Sequence, residues 1–271
     1  MVLNQLTELN DYQKAQVDKN VKAGILKLQQ FQRTDGGFSY WPGVHESDDW
    51  GSTYAGHFLL EAQQNGYFVS DYLLQQWKNF QRGKANNWAP SSTNFYGADL
   101  AQAYRLYTLA LAKSPELGAM NRLKEFKYLS EEAKWRLAAA YKLAGQDNTA
   151  LDLISGLSLS FPVRSNPGFT YGSGLRDQAM VLETLTLMGK RDKAATILTS
   201  VAASLSQDSW YSTQTTAYSL IAIAKFCGKN PSGEKIIAAT SINGVKTDIS
   251  SASYLKQLPV VFRNGDAPVN I

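Results

Sequence analysis

Five segments of this 271-residue chain carry one helix signature, starting at Trp50, Tyr96, Ala133, Gly172 and Trp210. Seven residues past each start stand His57, Ala103, Ala140, Ala179 and Ala217, and ten residues past stand Leu60, Leu106, Leu143, Leu182 and Leu220. The starts lie 46, 37, 39 and 38 residues apart. A period of that size marks an array of helical hairpins, each burying its apolar face by stacking on its neighbours.

The pattern within each period sets the packing. Helices are predicted over residues 11–32, about 52–65, 70–80, 97–112, 116–126, 130–144, 147–154, 174–188, 191–205 and 212–226. The first helix of each pair is apolar over most of its circumference, as between Leu175 and Leu187, and such a helix is buried on several sides. The second is amphipathic: Lys190, Arg191, Asp192 and Lys193 lead into Ala194, Ile197, Leu198 and Val201. Apolar inner helices inside amphipathic outer ones make a mainly α protein, an α/α toroid of helical hairpins.

Two expectations concern its ends. The helix over 11–32 is polar on one face like an outer helix, so its inner partner would precede it. Only residues 1–10, with Leu3, Leu6 and Leu9, remain for that partner. The ring then has five inner helices and a truncated sixth, as in a fragment of a longer chain. Past Gly228 apolar and polar residues alternate over 236–271, with Asn243-Gly244 and Asn264-Gly265 as tight-turn pairs. This predicts two to four strands, too few for a core of their own. The expected domains are a toroid over 1–228 and a β-strand segment over 229–271 that opens an adjoining β-domain.

Composition removes several function classes. The net charge is +4, with Lys and Arg scattered, so no basic track for a nucleic acid is present. No apolar stretch reaches the ~18 residues that suggest a membrane span, and the first residues lack the pattern of a signal peptide. The single cysteine, Cys227, excludes an internal disulfide and a multi-cysteine zinc site. No cofactor is called for.

Several stretches together resemble the thioester-containing domain of bacterial alpha-2-macroglobulins. They are Asp35-Gly36-Gly37-Phe38-Ser39-Tyr40-Trp41-Pro42-Gly43, Trp50-Gly51-Ser52-Thr53-Tyr54-Ala55 and Phe58-Leu59-Leu60-Glu61-Ala62. Arg176-Asp177-Gln178-Ala179, Leu182-Glu183-Thr184-Leu185 and the run from Trp210 to Tyr218 extend the match. The resemblance implies a module of a protease trap, in which cleavage of a bait segment triggers sequestration of the attacking enzyme. It implies a periplasmic or cell-surface location, possession of a lipid anchor in some whole proteins, and as partners proteases and other domains of the same chain. Many members carry a thioester in a Gly-Cys-x-Glu-Gln motif. No Cys-x-Glu-Gln occurs here, and Cys227 is followed by Gly228 and Lys229. The fragment is therefore expected to hold no thioester, to have no catalytic residue and to be monomeric.

Candidate site residues divide by chemistry. Trp41, Trp50, Tyr54 and Trp210 stand at or near inner-helix starts and, with His57, would form an inter-domain or ligand surface at one end of the ring. His57 is either a hydrogen-bonded core histidine or, by analogy, a base beside a thioester. His45 with Glu46, Asp48 and Asp49 is a solvated loop or a weak metal site. Cys227 at a helix C-terminus is a poor nucleophile, because the dipole there disfavours thiolate. The alternative function is a toroid enzyme acting on glycans or isoprenoids. That enzyme would need Asp99, Asp177 and Glu183 to converge at the ring centre.

Overall fold

The computed structural model describes residues 1–89, 98–159, 170–228, 235–242 and 244–252. Its elements are α1 (Leu3–Leu6), α2 (Asp11–Phe31), α3 (Asp49–Gln64), α4 (Asp71–Asn87), α5 (Ala98–Leu111), α6 (Leu117–Lys124), α7 (Glu131–Leu143), α8 (Asp147–Ile154), α9 (Gly174–Leu187), α10 (Arg191–Leu205), α11 (Thr213–Cys227), β1 (Ile236–Ile242) and β2 (Val245–Ser251). The molecule is mainly α with a short sheet.

The helices alternate as the repeat predicts. α3, α5, α7, α9 and α11 each pack on the next. Side chains join the last to the first: Tyr54 of α3 lies with its ring 5.9 Å from that of Tyr218 on α11, and Lys225 of α11 reaches Glu61 of α3. The other helices sit outside. α4 touches α3 and α5, α6 touches α5 and α7, and α10 touches α9 and α11. Burial follows the same division. Every residue of α7 from Trp135 to Tyr141 is buried, whereas α10 buries only Ala194, Ile197 and Val201, one helical stripe.

The repeat columns lie in this core. Ala103, Ala140, Ala179, Leu106 and Leu182 are fully buried, while Leu143, Ala217 and Leu220 are half-buried. Small residues at the +7 column let inner helices approach, and leucine at +10 fills the space between them. Leu182→Ala is expected to cost about 3 kcal/mol and Leu220→Ala about 1 kcal/mol, since the penalty scales with the void left behind. Urea unfolding of the two variants checks this, and equal losses would overturn the difference in burial between the two positions.

Boundaries differ from the sequence expectation where local chemistry was misassigned. The first inner helix, α3, begins at Asp49, three residues before Ser52, because Asp48 caps it by accepting the Gly51 N–H at 2.5 Å. Ser52 does other work: its hydroxyl accepts from the Phe38 N–H at 2.7 Å and pins the aromatic loop to α3. α4 runs seven residues beyond the expected Phe80, to Asn87, since Gln81 and Ala85 continue the buried stripe after Leu73, Leu74, Trp77 and Phe80. Asn10 and Gln13 form a reciprocal capping box at the start of α2.

The first ten residues contain one helical turn, α1, packed on α11 with Leu6 and Leu9 buried. Gln5 also reaches Asn65 at the end of α3, 3.2 Å away. At the other end β1 and β2 form an antiparallel hairpin pairing Ile236 with Ser251 through Ile242 with Val245. Gly244 takes the positive φ of +79° that its turn requires. Asn243, the Asn264-Gly265 turn and the further strands expected over 253–271 lie outside the described residues, as do Tyr96, Gly97, Pro162 and Pro167.

Candidate functional site

The ring encloses a charged cluster. Glu61 on α3, Glu183 on α9, Arg136 on α7 and Lys225 on α11 meet with His57, Tyr104 and Tyr107 among the inner helices. Lys225 bridges the two carboxylates, with Nζ 2.5 Å from Glu61 Oε1 and 2.7 Å from Glu183 Oε1. Arg136 donates to Glu183 Oε2 at 2.7 Å, and the Tyr107 hydroxyl donates to Oε1 at 2.8 Å. The guanidinium also lies 4.3 Å from the centre of the Tyr107 ring, a cation–π contact inside the protein.

Electrostatics follow from that geometry. Burial alone would push the Glu183 carboxyl up, but Lys225, Arg136 and His57 outweigh it and hold it well below its ordinary value. Burial acts against Glu61 in the same way, and the His57 hydrogen bond and Lys225 charge bring it below the usual range. Burial works against the Lys225 ammonium, yet Glu183, Tyr107 and Glu61 lift its pKa well above normal. Two carboxylates thus face two cations across four helices, and the charges neutralise one another.

His57, Glu61 and Glu183 are the one group among the described residues whose ligand atoms lie close enough to hold a metal. The Lys225 ammonium rests on both of those carboxylates, so a cation already occupies the position an ion would need. His57 is a core histidine: Nδ1 is 2.9 Å from the Tyr104 hydroxyl and Nε2 is 3.4 Å from Glu61. In the His45 loop two of the three acids are otherwise engaged. Asp48 caps α3, and Asp49 pairs with Lys84 and with the buried Arg105.

The three carboxylates expected of an enzyme do not converge. Asp99 accepts from the backbone N–H groups of Leu100 and Ser130. Asp177 accepts from Arg176, which also lies over the Trp50 ring. Glu183 is six residues further along α9, roughly 9 Å up the axis. Cys227, the last residue of α11, is half-buried, and burial pushes its thiol up.

The five residues expected to share one surface separate by depth. Trp41 and Trp210 are exposed at 71 % and 88 %, whereas Trp50 and His57 are buried and Tyr54 is half-buried. Trp50 turns inward against Tyr104, with ring centres 5.0 Å apart. Of the residues the sequence reading missed, Glu61, Tyr107, Arg136 and Lys225, only the first two stand in a column of the repeat. Eleven residues past the repeat starts stand Glu61, Tyr107, Ala144, Glu183 and Ile221. Two acids and a tyrosine in an apolar column mark the ring's interior.

No protein-family model matches this sequence. Among curated proteins it is similar to the alpha-2-macroglobulin of Escherichia coli K12, 27 % identical over 208 residues, which cover 72 % of this chain and 12 % of that protein. It is similar also to the alpha-2-macroglobulin of Xylella fastidiosa, 27 % identical over 186 residues, 65 % of this chain and 11 % of that one. Its fold is that of part of the native E. coli alpha-2-macroglobulin seen by cryo-electron microscopy, with a TM-score of 0.73 at 22 % identity over 93 % of this chain and 17 % of that one. A crystal structure of the same protein from domain MG7 to the C-terminus gives a TM-score of 0.72 at 22 % identity, over 93 % of this chain and 42 % of that one. The curated homologues of this chain are thus bacterial alpha-2-macroglobulins, and it spans about an eighth of their length.

Proposed function

We propose that this chain is a non-catalytic scaffold module of a bacterial alpha-2-macroglobulin-like protease trap, working in the periplasm or at the cell surface. The observation that carries the reading is the fate of its buried acids. Glu61, Glu183, Asp99 and Asp177 are each spent on a cation or on backbone N–H groups, which suits a scaffold and leaves no free pair of carboxylates for hydrolysis among the buried acids of the described residues. Similarity to whole alpha-2-macroglobulins supports the same reading.

In this reading the module presents or shields a reactive group supplied elsewhere in the whole protein. A groove of about 420 Å³ between α2 and α3 is lined by Leu28, Phe31, Tyr54 and Phe58. Other domains of the whole protein and the captured protease would be its partners.

The test is protection by the whole protein. Incubated with a serine protease, it is expected to block digestion of a large protein substrate while leaving hydrolysis of a small chromogenic peptide intact, the mark of an enclosed but active enzyme. This 271-residue chain alone should protect neither. Equal loss of both activities, or protection by this chain alone, would overturn the proposal.

A further inference from the structure

The end of the ring carries a second concavity that the protease-trap reading does not use. A groove of about 710 Å³ runs between the start of α9, the end of α10 and the start of α11. Its lining includes Tyr171, Gln178, Gln207, Trp210, Tyr211 and Ser212, and no Asp, Glu, Lys, Arg or His is among the described residues that line it. In a chain where charged residues make up 18 %, an uncharged surface of this size selects against ionic ligands, because specificity for a charge needs an opposite charge to meet it.

Two aromatic rings are offered to solvent there. Trp210 is 88 % exposed and Tyr171 is 58 % exposed. Tryptophan supplies a large rigid apolar face and one indole N–H at its edge. Around them stand amides and hydroxyls. The Gln178 side chain is half-buried and makes no hydrogen bond with another described residue, so both its donor and acceptor are available to a ligand.

The frame is built before any ligand arrives. Ser173 caps α9 and Ser212 caps α11, each accepting from a backbone N–H. Their hydroxyls meet at Thr215, at 2.8 and 3.0 Å. The Tyr211 hydroxyl donates to the Ser204 carbonyl and ties the α11 entry to α10. A groove fixed in this way costs little ordering on binding.

We infer that this groove binds a neutral oligosaccharide of pyranose rings. A pyranose has an apolar C–H face that lies flat on an indole and a rim of hydroxyls that both donate and accept. Exposed Trp210 and Tyr171 match the face, and Gln178, Gln207 and Ser212 match the rim. The volume lies within the range of ordinary small-molecule sites. The site requires no metal, no charge and no movement of the scaffold, and it stands independently of the protease-trap reading.

The test uses this 271-residue chain with triacetylchitotriose and cellohexaose as probes and trigalacturonate as the charged comparator. Tryptophan emission and calorimetry are expected to report binding of at least one neutral sugar with a Kd below about 1 mM, unchanged by added salt. Trp210→Ala should weaken it about tenfold or more, as loss of an aromatic anchor does, while Trp210→Tyr keeps most of it. Because Trp210 is a surface residue, circular dichroism and thermal unfolding of the variants should match the parent. The proposal is overturned if neither neutral sugar binds at about 10 mM, a limit set by the weakest useful affinity. It is overturned equally if Trp210→Ala binds like the parent, or if trigalacturonate binds as well and is displaced by salt. Trp210 shielded from a soluble quencher in the whole protein, with no sugar binding to this chain, would instead assign the groove to a domain contact.

Discussion

Glu183→Gln is expected to lower the unfolding free energy by about 3–5 kcal/mol at neutral pH, the cost of leaving a buried charge without its partner. Glu183 accepts from Tyr107, Arg136 and Lys225 at once. Lys225 retains Glu61 when that carboxylate is removed. Arg136 retains nothing of opposite charge among the described residues: its side chain is fully buried, and its Nε and Nη2 already lack hydrogen-bond partners. The double variant Glu183→Gln, Arg136→Met should therefore recover most of the loss, since an apolar group fits a buried position once both charges are gone. The pH dependence has a definite sign. The folded Glu183 carboxyl titrates below its ordinary value of 4.5, so its contribution is complete above that value and fades as pH falls through the folded one. Urea unfolding between pH 7 and pH 3 should show the parent losing stability on acidification more steeply than Glu183→Gln. A loss under about 1 kcal/mol, the size of a surface ion pair, or identical acid slopes would mean that the cluster does not hold the ring.

The architecture was legible in the sequence because a repeat constrains every copy together. The Ala and Leu columns located the inner helices, and the polar runs such as Lys190 to Lys193 located an outer one. The cluster at the centre was not legible, for two physical reasons. Glu61 and Glu183 sit one residue beyond the Leu column, and in one copy a lone acid next to a core leucine reads as the edge of a solvated face. Their partners come from other helices: Lys225 is 164 residues from Glu61, and no local pattern encodes that pairing. The same limit explains Trp50 and Trp210. Both open an inner helix in the repeat, yet one is buried against Tyr104 and the other projects into solvent. Repeat position sets where the backbone goes, while depth depends on what the neighbouring copy presents.

Gly56→Ala and Trp77→Ala should each destabilise the parent, and the effect of Gly56→Ala should change sign once Trp77 is already Ala. Trp77, on α4, is fully buried and donates its indole N–H to the Ser52 carbonyl on α3 at 2.8 Å. Its ring lies where Gly56 has no side chain: a Cβ there would come within 2.0 Å of Trp77 Cε2. Trp77→Ala removes that packing and is expected to cost about 3–5 kcal/mol. Gly56→Ala forces the ring away and should cost about 3 kcal/mol, at the upper end for overpacking because both elements are rigid. With Trp77 already replaced by Ala the clash is gone, and alanine becomes the better helix former by up to about 1 kcal/mol. The second substitution should then stabilise. A double-mutant cycle by urea unfolding reads the reversal directly, and an equal penalty from Gly56→Ala in both backgrounds would show that the two residues are not in contact. The contact matters beyond stability, because His57 follows Gly56 and Glu61 lies little more than one turn beyond it on α3. A tryptophan on the outer ring thus packs on the same helix that carries Glu61 to Lys225, so an outer helix and the charge cluster share α3.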